Sequence, residues 1–505
     1  MKKYLLILEV SQKQAYIFKG KKLKNNIAAS DIIRYVTDTD FFNSLNAGFN
    51  EDKNLVYSGG GHAVLVFESR DEAVSFAESV SRKIMEKFRD LEMFMKITET
   101  DPDKSNSENI KELIRQLEVK KSVRRSTFSQ GRFGFETMEF SEITKKKDGD
   151  TEKLLPENYT HKKEIDDREF SVTAPFDKAN EFEKLGGSKG ESNFIAVVHI
   201  DGNRMGARVA DFDSKADSLG FEEYAAKKKA FSESIDRDFT DAYFEMLAVV
   251  KEKIENGTLK SLDFSKNCFP VRRVVMAGDD ICFVTEGRIG LECAAEYINI
   301  LSKKTNSADG KSYSACAGVA VVHQKYPFYK AYKLAESLCD NAKKYIANRD
   351  GEADKHTSAI DWHIEYGEIF GSVLGARETD NRNYMGIGSD SRIDIIADRE
   401  KLLSSRPYVI CSDDEPSKAE SYAGFKSMVR DVNRYESKAE KEEGALAARG
   451  KLKTLRNIMK KGEKYAHQYL KDARINDGIA VNNRTFDALE IMDTFIDFKP
   501  EGDKK

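Results

Sequence analysis

One order of elements, written twice along the chain, constrains the fold of these 505 residues more than any other feature. Leu5 to Val10 reads as a buried strand, and the segment from Ile27 to Leu45 is compatible with a helix. A short strand (Leu55 to Tyr57), the turn Gly59-Gly60-Gly61-His62 and another strand (Ala63 to Phe67) come next. Asp71 to Arg89 then sets Val74, Ala77, Val80, Ile84 and Phe88 at helical spacing. The order returns at Phe194 to Ile200, a strand, followed by a long helical stretch from Phe221 to Ile254. Val271 to Met276 and Ile281 to Thr285 are strands flanking the tight turn Ala277 to Asp280. Ile289 to Lys303 reads as helix, Tyr313 to Val322 as strand, and Phe328 to Tyr345 as a closing helix. Each unit follows β-α-β-turn-β-α-β, the order of the ferredoxin-like motif. An α+β protein is expected, with two such units and a cleft between them.

Boundaries follow from this repeat. The first unit takes residues 1–100 and the second 193–375, with a polar, irregular linker or insert at 101–192 between them. That insert holds the charged loop Lys145 to Asp150, and Leu185 to Gly190 forms a flexible approach to the second unit. Residues 376–505 change character: Lys, Glu, Ala and Leu dominate from about Lys418 to Ala473, as in a small, mainly helical C-terminal domain.

Composition narrows the class. With 33% charged and 40% hydrophobic residues the chain suits a globular protein, and a formal charge of −4 gives no global pull toward nucleic acid. A basic face is still available locally, where Lys120 and Lys121 precede Arg124 and Arg125. No apolar run approaches the ~18 residues that cross a bilayer, so no membrane association is expected. Glu9 and Gln12 cut the N-terminal apolar run too short for a signal peptide, which predicts a cytoplasmic protein. The six cysteines (Cys268, Cys282, Cys293, Cys316, Cys339 and Cys411) form no Cys-x-x-Cys pair and read as small buried thiols.

The second unit places carboxylates at neighbouring strand ends. Its first strand ends at Asp201, in Val198-His199-Ile200-Asp201-Gly202-Asn203-Arg204-Met205-Gly206, and its hairpin turn carries Asp279 and Asp280. In a ferredoxin-like unit the first strand lies beside that hairpin, so the three aspartates converge at one sheet edge. Clustered carboxylates repel one another unless a cation joins them. Mg²⁺, or Mn²⁺, takes oxygen ligands from one or two carboxylates and substrate phosphates. Two such ions roughly 3.5–4 Å apart activate an attacking hydroxyl and steady a leaving pyrophosphate. Gly202 and Gly278 leave room for phosphates to approach the backbone. Gly-Asp-Asp in a hairpin is also ordinary turn chemistry. Its pairing with a strand-terminal Asp201 turns the reading toward metal-dependent nucleotidyl transfer on a nucleoside triphosphate, ATP before others.

Other candidates have two readings each. Lys343, near the end of the closing helix, reaches triphosphate oxygens as a point charge or is a solvated lysine at a helix C-terminus. His199 and His323 flank apolar strands and read as structural. The first unit carries Gly61-His62 where the second has Asp279-Asp280, and its first strand ends in Glu9-Val10-Ser11. It lacks the acidic pair and reads as a catalytically silent partner that shapes the cleft or holds a second nucleotide. Gly59, Gly60 and Gly61 let a base or phosphate approach closely, or form a plain flexible turn.

Several segments resemble the Cas10 (Cmr2/Csm1) large subunit of type III CRISPR effectors. Glu9 to Phe18 and Ala28-Ala29-Ser30-Asp31-Ile32-Ile33 are similar to the start of that family's first palm domain. Gly59-Gly60-Gly61 resembles its degenerate turn, Asp201-Gly202-Asn203-Arg204-Met205-Gly206 its Asp-Gly-Asp-Asn-Met-Gly pattern, and Ala277-Gly278-Asp279-Asp280 its Gly-Gly-Asp-Asp. Ala315 to His323, Pro327-Phe328-Tyr329 and Ala342-Lys343-Lys344 continue the second palm, and Arg406-Pro407-Tyr408 resembles a later segment. The resemblance implies two ferredoxin-like palm domains of the nucleotide cyclase and polymerase kind. It implies a second palm that joins ATP 3′-to-5′ into cyclic oligoadenylates for antiviral defence. Asp201 and Asp279 would then carry Mg²⁺ or Mn²⁺, with Asp280 assisting. Gly202, Asn203, Gly206 and Gly278 would line the triphosphate, Lys343 would neutralise it, and Gly59 and Gly60 would face a nucleotide from the first palm. Other type III CRISPR subunits and guide and target RNA are the implied partners; assembly with a second copy of the chain is left open by the sequence.

The departures are specific. Nothing resembles the family's HD nuclease domain, and the cysteine pairs of its zinc-binding insert are missing, as expected of a reduced member or a stand-alone relative. Ala277 replaces a glycine, and Asn203 stands where the family often has aspartate. Two other readings stay open: a non-catalytic scaffold subunit of an RNA-guided complex, and a nucleotide cyclase or cyclic dinucleotide synthase.

Overall fold

Apolar strands of this chain pair into two sheets, each with one member of the repeat at its centre. A computed structural model describes residues 2–123, 151–185, 193–350, 357–367, 372–410, 420–443, 445–475 and 479–499. Arg124, Arg125, the Lys145–Asp150 loop, Gly186–Gly190 and Cys411 lie outside these residues. The first sheet contains β1 (Tyr4–Val10), β2 (Leu55–Gly59), β3 (His62–Phe67) and β4 (Met93–Glu99), in the order β2-β3-β1-β4. Its pairings are antiparallel throughout. The second contains β5 (Phe194–Gly202), β6 (Val271–Ala277), β7 (Asp280–Glu286), β8 (Ala315–His323), β9 (Ser358–Glu365) and β10 (Tyr408–Ile410), in the order β10-β9-β8-β5-β7-β6. Within it, β8-β5-β7-β6 repeats the first sheet's arrangement, so both units are ferredoxin-like and the chain is α+β.

β9 and β10 are an extension of the second sheet that the repeat does not predict. Ile360, Trp362 and Ile364 face a core while Asp361, His363 and Glu365 alternate with them, a strand pattern of period two. β9 runs parallel to β8, which requires a crossover, and the helix Phe328–Asp350 supplies it. The insert also differs from its expected irregularity. Asn106–Ser122 is a helix started by a capping box between Ser105 and Glu108, with Ile110, Leu113 and Leu117 on its buried face. Thr160–Thr173 is a second helix there, and Met205–Ala216 an unforeseen one after β5.

Strand alternation sends the second sheet's two faces into different cores. Ala196, Val198 and Ile200 pack with the long helix Phe221–Glu255 and the helix Gly290–Ser302. Ile195 and Val197 face the other way, into a core shared with Leu6, Leu8 and Val10 of β1 and with Ile27 and Ile32 of the helix Leu23–Tyr35. The remaining face of the first sheet, Leu5, Ile7 and Val56, is covered by Leu113 and Leu117 and by Tyr224 at the start of the long helix. The helices Tyr422–Glu443, Ala445–Met459 and Asn483–Ile491 join the same core as the second unit, through Phe425, Leu452 and Phe486. Buried Glu292 anchors them, accepting from Tyr422 Oη at 2.8 Å, Lys426 Nζ at 2.7 Å and the Phe498 amide at 2.9 Å. The five described cysteines are buried free thiols. Among the described residues no helix is long and apolar enough to cross a membrane.

Candidate active site at the end of the second sheet

Strand register brings the acidic residues to one edge. Asp201 near the end of β5 stands directly opposite Asp280 at the start of β7, and Asp279 occupies the turn between β6 and β7. Gly278 has φ +67°, a left-handed conformation that glycine adopts without strain, and open space surrounds it. Gly202 fits because it lacks a side chain: a Cβ there would sit 3.1 Å from Asp279 Cβ and 2.8 Å from Met205 Cγ. Its amide donates to the Asp279 carbonyl at 3.3 Å, tying the strand end to the turn.

The electrostatics follow from this crowding. Burial, and then the neighbouring Asp201, push the Asp279 carboxyl up to about 6. Burial also raises the Asp280 carboxyl; His199 opposes the rise, while Asp201 and Glu336 add to it. Asp280 Oδ1 and His199 Nδ1 are buried, 3.4 Å apart, and neither has a hydrogen-bond partner. His199 is therefore not the satisfied structural histidine expected from sequence, whereas exposed His323 accepts from the Lys325 amide. Lys343 Nζ sits 2.5 Å from Asp201 Oδ2 and 3.3 Å from the Gly202 carbonyl. Burial alone would lower its ammonium, and Asp201 more than offsets this, lifting it above the usual lysine range. The helix bearing Lys343 continues to Asp350, so Lys343 is not at its C-terminus.

These donors suit a cation in one particular way. Among the described residues no group of three His, Cys, Asp or Glu side chains is gathered to hold a metal ion. Lys343 occupies one oxygen of Asp201, and Asp280 lies beside His199. Asp201 and Asp279 remain as an all-oxygen pair across Gly202, with the partnerless Asp280 oxygen nearby. One or two carboxylates completed by substrate phosphates is how Mg²⁺ is commonly held, so the residues fit a divalent ion that arrives with a nucleotide. Asn203 is engaged elsewhere: its side-chain amide donates to Ser314 Oγ at 3.3 Å and the Thr357 carbonyl at 3.0 Å. Gly206 lies in the first turn of the helix Met205–Ala216, with open space beside it.

The first unit reproduces the geometry without the acidic pair of the turn. Glu9 pairs with His62 as Asp201 pairs with Asp280, and the Val10 amide donates to the Gly61 carbonyl at 2.9 Å. Basic groups gather where the second unit has carboxylates. Lys13 Nζ donates to the Gly60 carbonyl, and Lys121 Nζ lies 3.0 Å from Glu9 Oε1. Burial, then Lys13 and Lys121, push the His62 imidazole down to about 4, so it is neutral at pH 7.

The two turns face one cleft of ≈ 1070 Å³, whose walls include Gly59, Gly60, His62, Asp279 and Asp280 but not Asp201 or Lys343. That volume reaches the top of the range for small-molecule sites, about 300–1,000 Å³. Sequence reading missed Arg34 and Asp236, which also line it. Arg34 Nη1 and Nη2 donate to the Asp236 carboxylate at 3.0 and 2.6 Å, and Arg34 Nη1 also lies 3.3 Å from the Met276 carbonyl. Asp236 Oδ1 accepts from the Gly278 amide at 3.2 Å. The one available signal was that Arg34 follows directly on Asp31-Ile32-Ile33.

Residues 194–353 match the family model of the Cas10/Cmr2 second palm domain. No curated protein sequence matches the chain. Among solved structures, a Csm1 chain in a Csm1–Csm4 cassette with AMPPNP is 17% identical at a TM-score of 0.44, with 68% of this chain and 53% of that one covered. A Csm1–Csm4 cassette with cA3 gives 16%, 0.46, 78% and 60%, and one with pppApApA gives 14%, 0.48, 97% and 69%. In the first of these alignments the chain spans about half of its relative's length. Residues 194–353 thus carry a domain of the Cas10/Cmr2 second-palm kind.

Proposed function

We propose that the second palm domain is a metal-dependent nucleotidyltransferase that converts ATP into cyclic oligoadenylate messengers in CRISPR-type antiviral defence. The observation that carries the reading is the pairing of Asp201 with Asp280, and with Asp279 beside them, inside the domain matched to that family. The 3′-hydroxyl oxygen of one ATP forms a bond to the α-phosphorus of another, pyrophosphate leaves, and the hydroxyl proton passes to solvent. Asp201 and Asp279 would hold Mg²⁺ or Mn²⁺, which when bound lowers the hydroxyl pKa and steadies the leaving group. Lys343 turns from Asp201 toward phosphate as the nucleotide enters, because both partners are only partly buried. The open space around Gly278 admits the phosphates to the turn. The basic turn of the first unit, with Lys13 and Lys121 near Gly60, completes the cleft from the other side. Other type III CRISPR subunits and target RNA are the partners proposed to set its activity.

The test is incubation with Mg²⁺ and all four nucleotides, with products identified by mass. The parent is expected to form oligoadenylates, alone or with guide and target RNA. Asp279→Ala with Asp280→Ala is expected to form none while remaining folded. Undiminished synthesis by the double variant overturns the assignment. The Lys343–Asp201 pair also suits a non-catalytic scaffold, in which a lysine simply neutralises a residual carboxylate. A parent inactive under every condition would select that reading, and a cyclic mononucleotide or dinucleotide would select the cyclase reading.

A further inference from the structure

The first unit reaches the acidic turn through a relay of two side chains. Arg34, on the helix Leu23–Tyr35 of the first unit, forks onto both oxygens of Asp236 on the long helix of the second. Asp236 accepts from the amide of Gly278, and Arg34 reaches the carbonyl of Met276. The two side chains thus grip the hairpin from both sides of Ala277, immediately before Asp279. A bidentate arginine–carboxylate pair is geometrically restrictive, and an ionised acceptor gives a backbone amide a stronger bond than a neutral one does. The turn needs such a hold: Gly278 is the most permissive residue in it, and no side chain lies within 4 Å of where its Cβ would be.

We propose that Asp236 is a positioning residue for the Asp279–Asp280 turn, and that Arg34 makes the first unit responsible for keeping it in place. The proposal rests on the nucleotidyltransferase reading for its consequence in turnover, but not for its effect on the turn itself. A second ion pair joins the units nearby without contacting the turn: Arg273 Nη1 lies 2.8 Å from Asp31 Oδ1. It serves as the internal control, since its loss also perturbs the interface and leaves Gly278 alone.

The experiment compares the parent with Asp236→Ala, Asp236→Asn, Arg34→Met and Asp31→Asn. Backbone hydrogen exchange of the metal-free protein is followed in peptides spanning residues 276–281, and melting temperature reports folding. Asp236→Ala and Arg34→Met are expected to speed exchange in that segment by about tenfold or more, the size of one lost charge-assisted hydrogen bond. Asp236→Asn keeps an acceptor for Gly278 and should fall between them and the parent. Asp31→Asn should stay within about twofold of the parent in this segment. Parental exchange in a folded Asp236→Ala protein, or equal loosening in Asp31→Asn, overturns the proposal. Turnover is read beside it: kcat should fall in Asp236→Ala with KM for ATP little changed, and an unchanged kcat despite a loosened turn also overturns it. A parent without turnover under any condition instead defeats the nucleotidyltransferase reading, and the exchange data still decide whether Asp236 holds the turn.

Discussion

Lys343 Nζ and Asp201 Oδ2 stand 2.5 Å apart at the edge of the second sheet, so an ammonium already rests where a metal would compete for the same carboxylate. Removing it has opposite consequences for ion and nucleotide. Lys343→Ala should bind Mn²⁺ more tightly than the parent in the absence of nucleotide, because Asp201 is released. The same variant should need about tenfold more ATP for half-maximal turnover, the proposed phosphate contact of Lys343 being worth about 1.5 kcal/mol. Electron paramagnetic resonance of free Mn²⁺ and initial-rate kinetics give the two numbers.

Asp279 crowds against Asp201 and Asp280 in a half-buried turn, and their mutual repulsion disfavours the ionised metal-free protein. Asp279→Asn should raise its melting temperature at pH 7.5 by a few degrees while abolishing turnover. Saturating Mg²⁺ with ATP should raise the parent's melting temperature and leave the variant's nearly unchanged.

His363 on β9 gives the fold an acid-sensitive point away from the turn. Burial, and then Arg377, push its imidazole down to about 3, so the folded protein keeps it neutral where the unfolded chain, at about 6.5, protonates it. The unfolded state then binds more protons, and stability falls as pH drops below about 6.5 toward 3. At pH 5 the loss amounts to about 2 kcal/mol relative to pH 7.5. His363→Gln should flatten denaturation midpoints between pH 7.5 and 5 by about that amount.

Glu292 holds three donors from the C-terminal region in a site 4% exposed. Glu292→Ala leaves the Tyr422 hydroxyl and the Phe498 amide without their acceptor and Lys426 with Asp497 alone, at a cost of about 2–4 kcal/mol. The denaturation curve should gain an earlier transition, and limited proteolysis should release fragments from residues 422–499.

How far the sequence carries depends on the range of the interaction. Both units were legible apart from the first one's last strand, Met93–Glu99, because strand and helix periods and the Gly-rich turns are local. Their symmetry held to the register: Glu9 faces His62 as Asp201 faces Asp280. The alternation Ile360-Asp361-Trp362-His363-Ile364 and the Ser105–Glu108 capping box were equally local, and went unused only because the repeat had no place for them. Arg34 and Asp236 were a different matter. They lie 202 residues apart, and Asp236 sits among Glu233, Arg237 and Asp238 on a helix whose other charges look alike. Nor does any spacing reveal that Lys343 lies on Asp201 or that Asn203 is spent on Ser314 and Thr357. Such pairings arise only when elements distant in sequence pack together.

The long helix Phe221–Glu255 has 35 residues, which makes it a rod of about 50 Å. Tyr224 lies under the first sheet, Asp236 lies at the cleft, and Phe239 and Tyr243 lie in the second unit's core. A rod gripped at three stations behaves as a lever with little slack. Any partner that tilts the first unit against the second must carry Asp236 along, and the load arrives at the hairpin rather than being absorbed between the units.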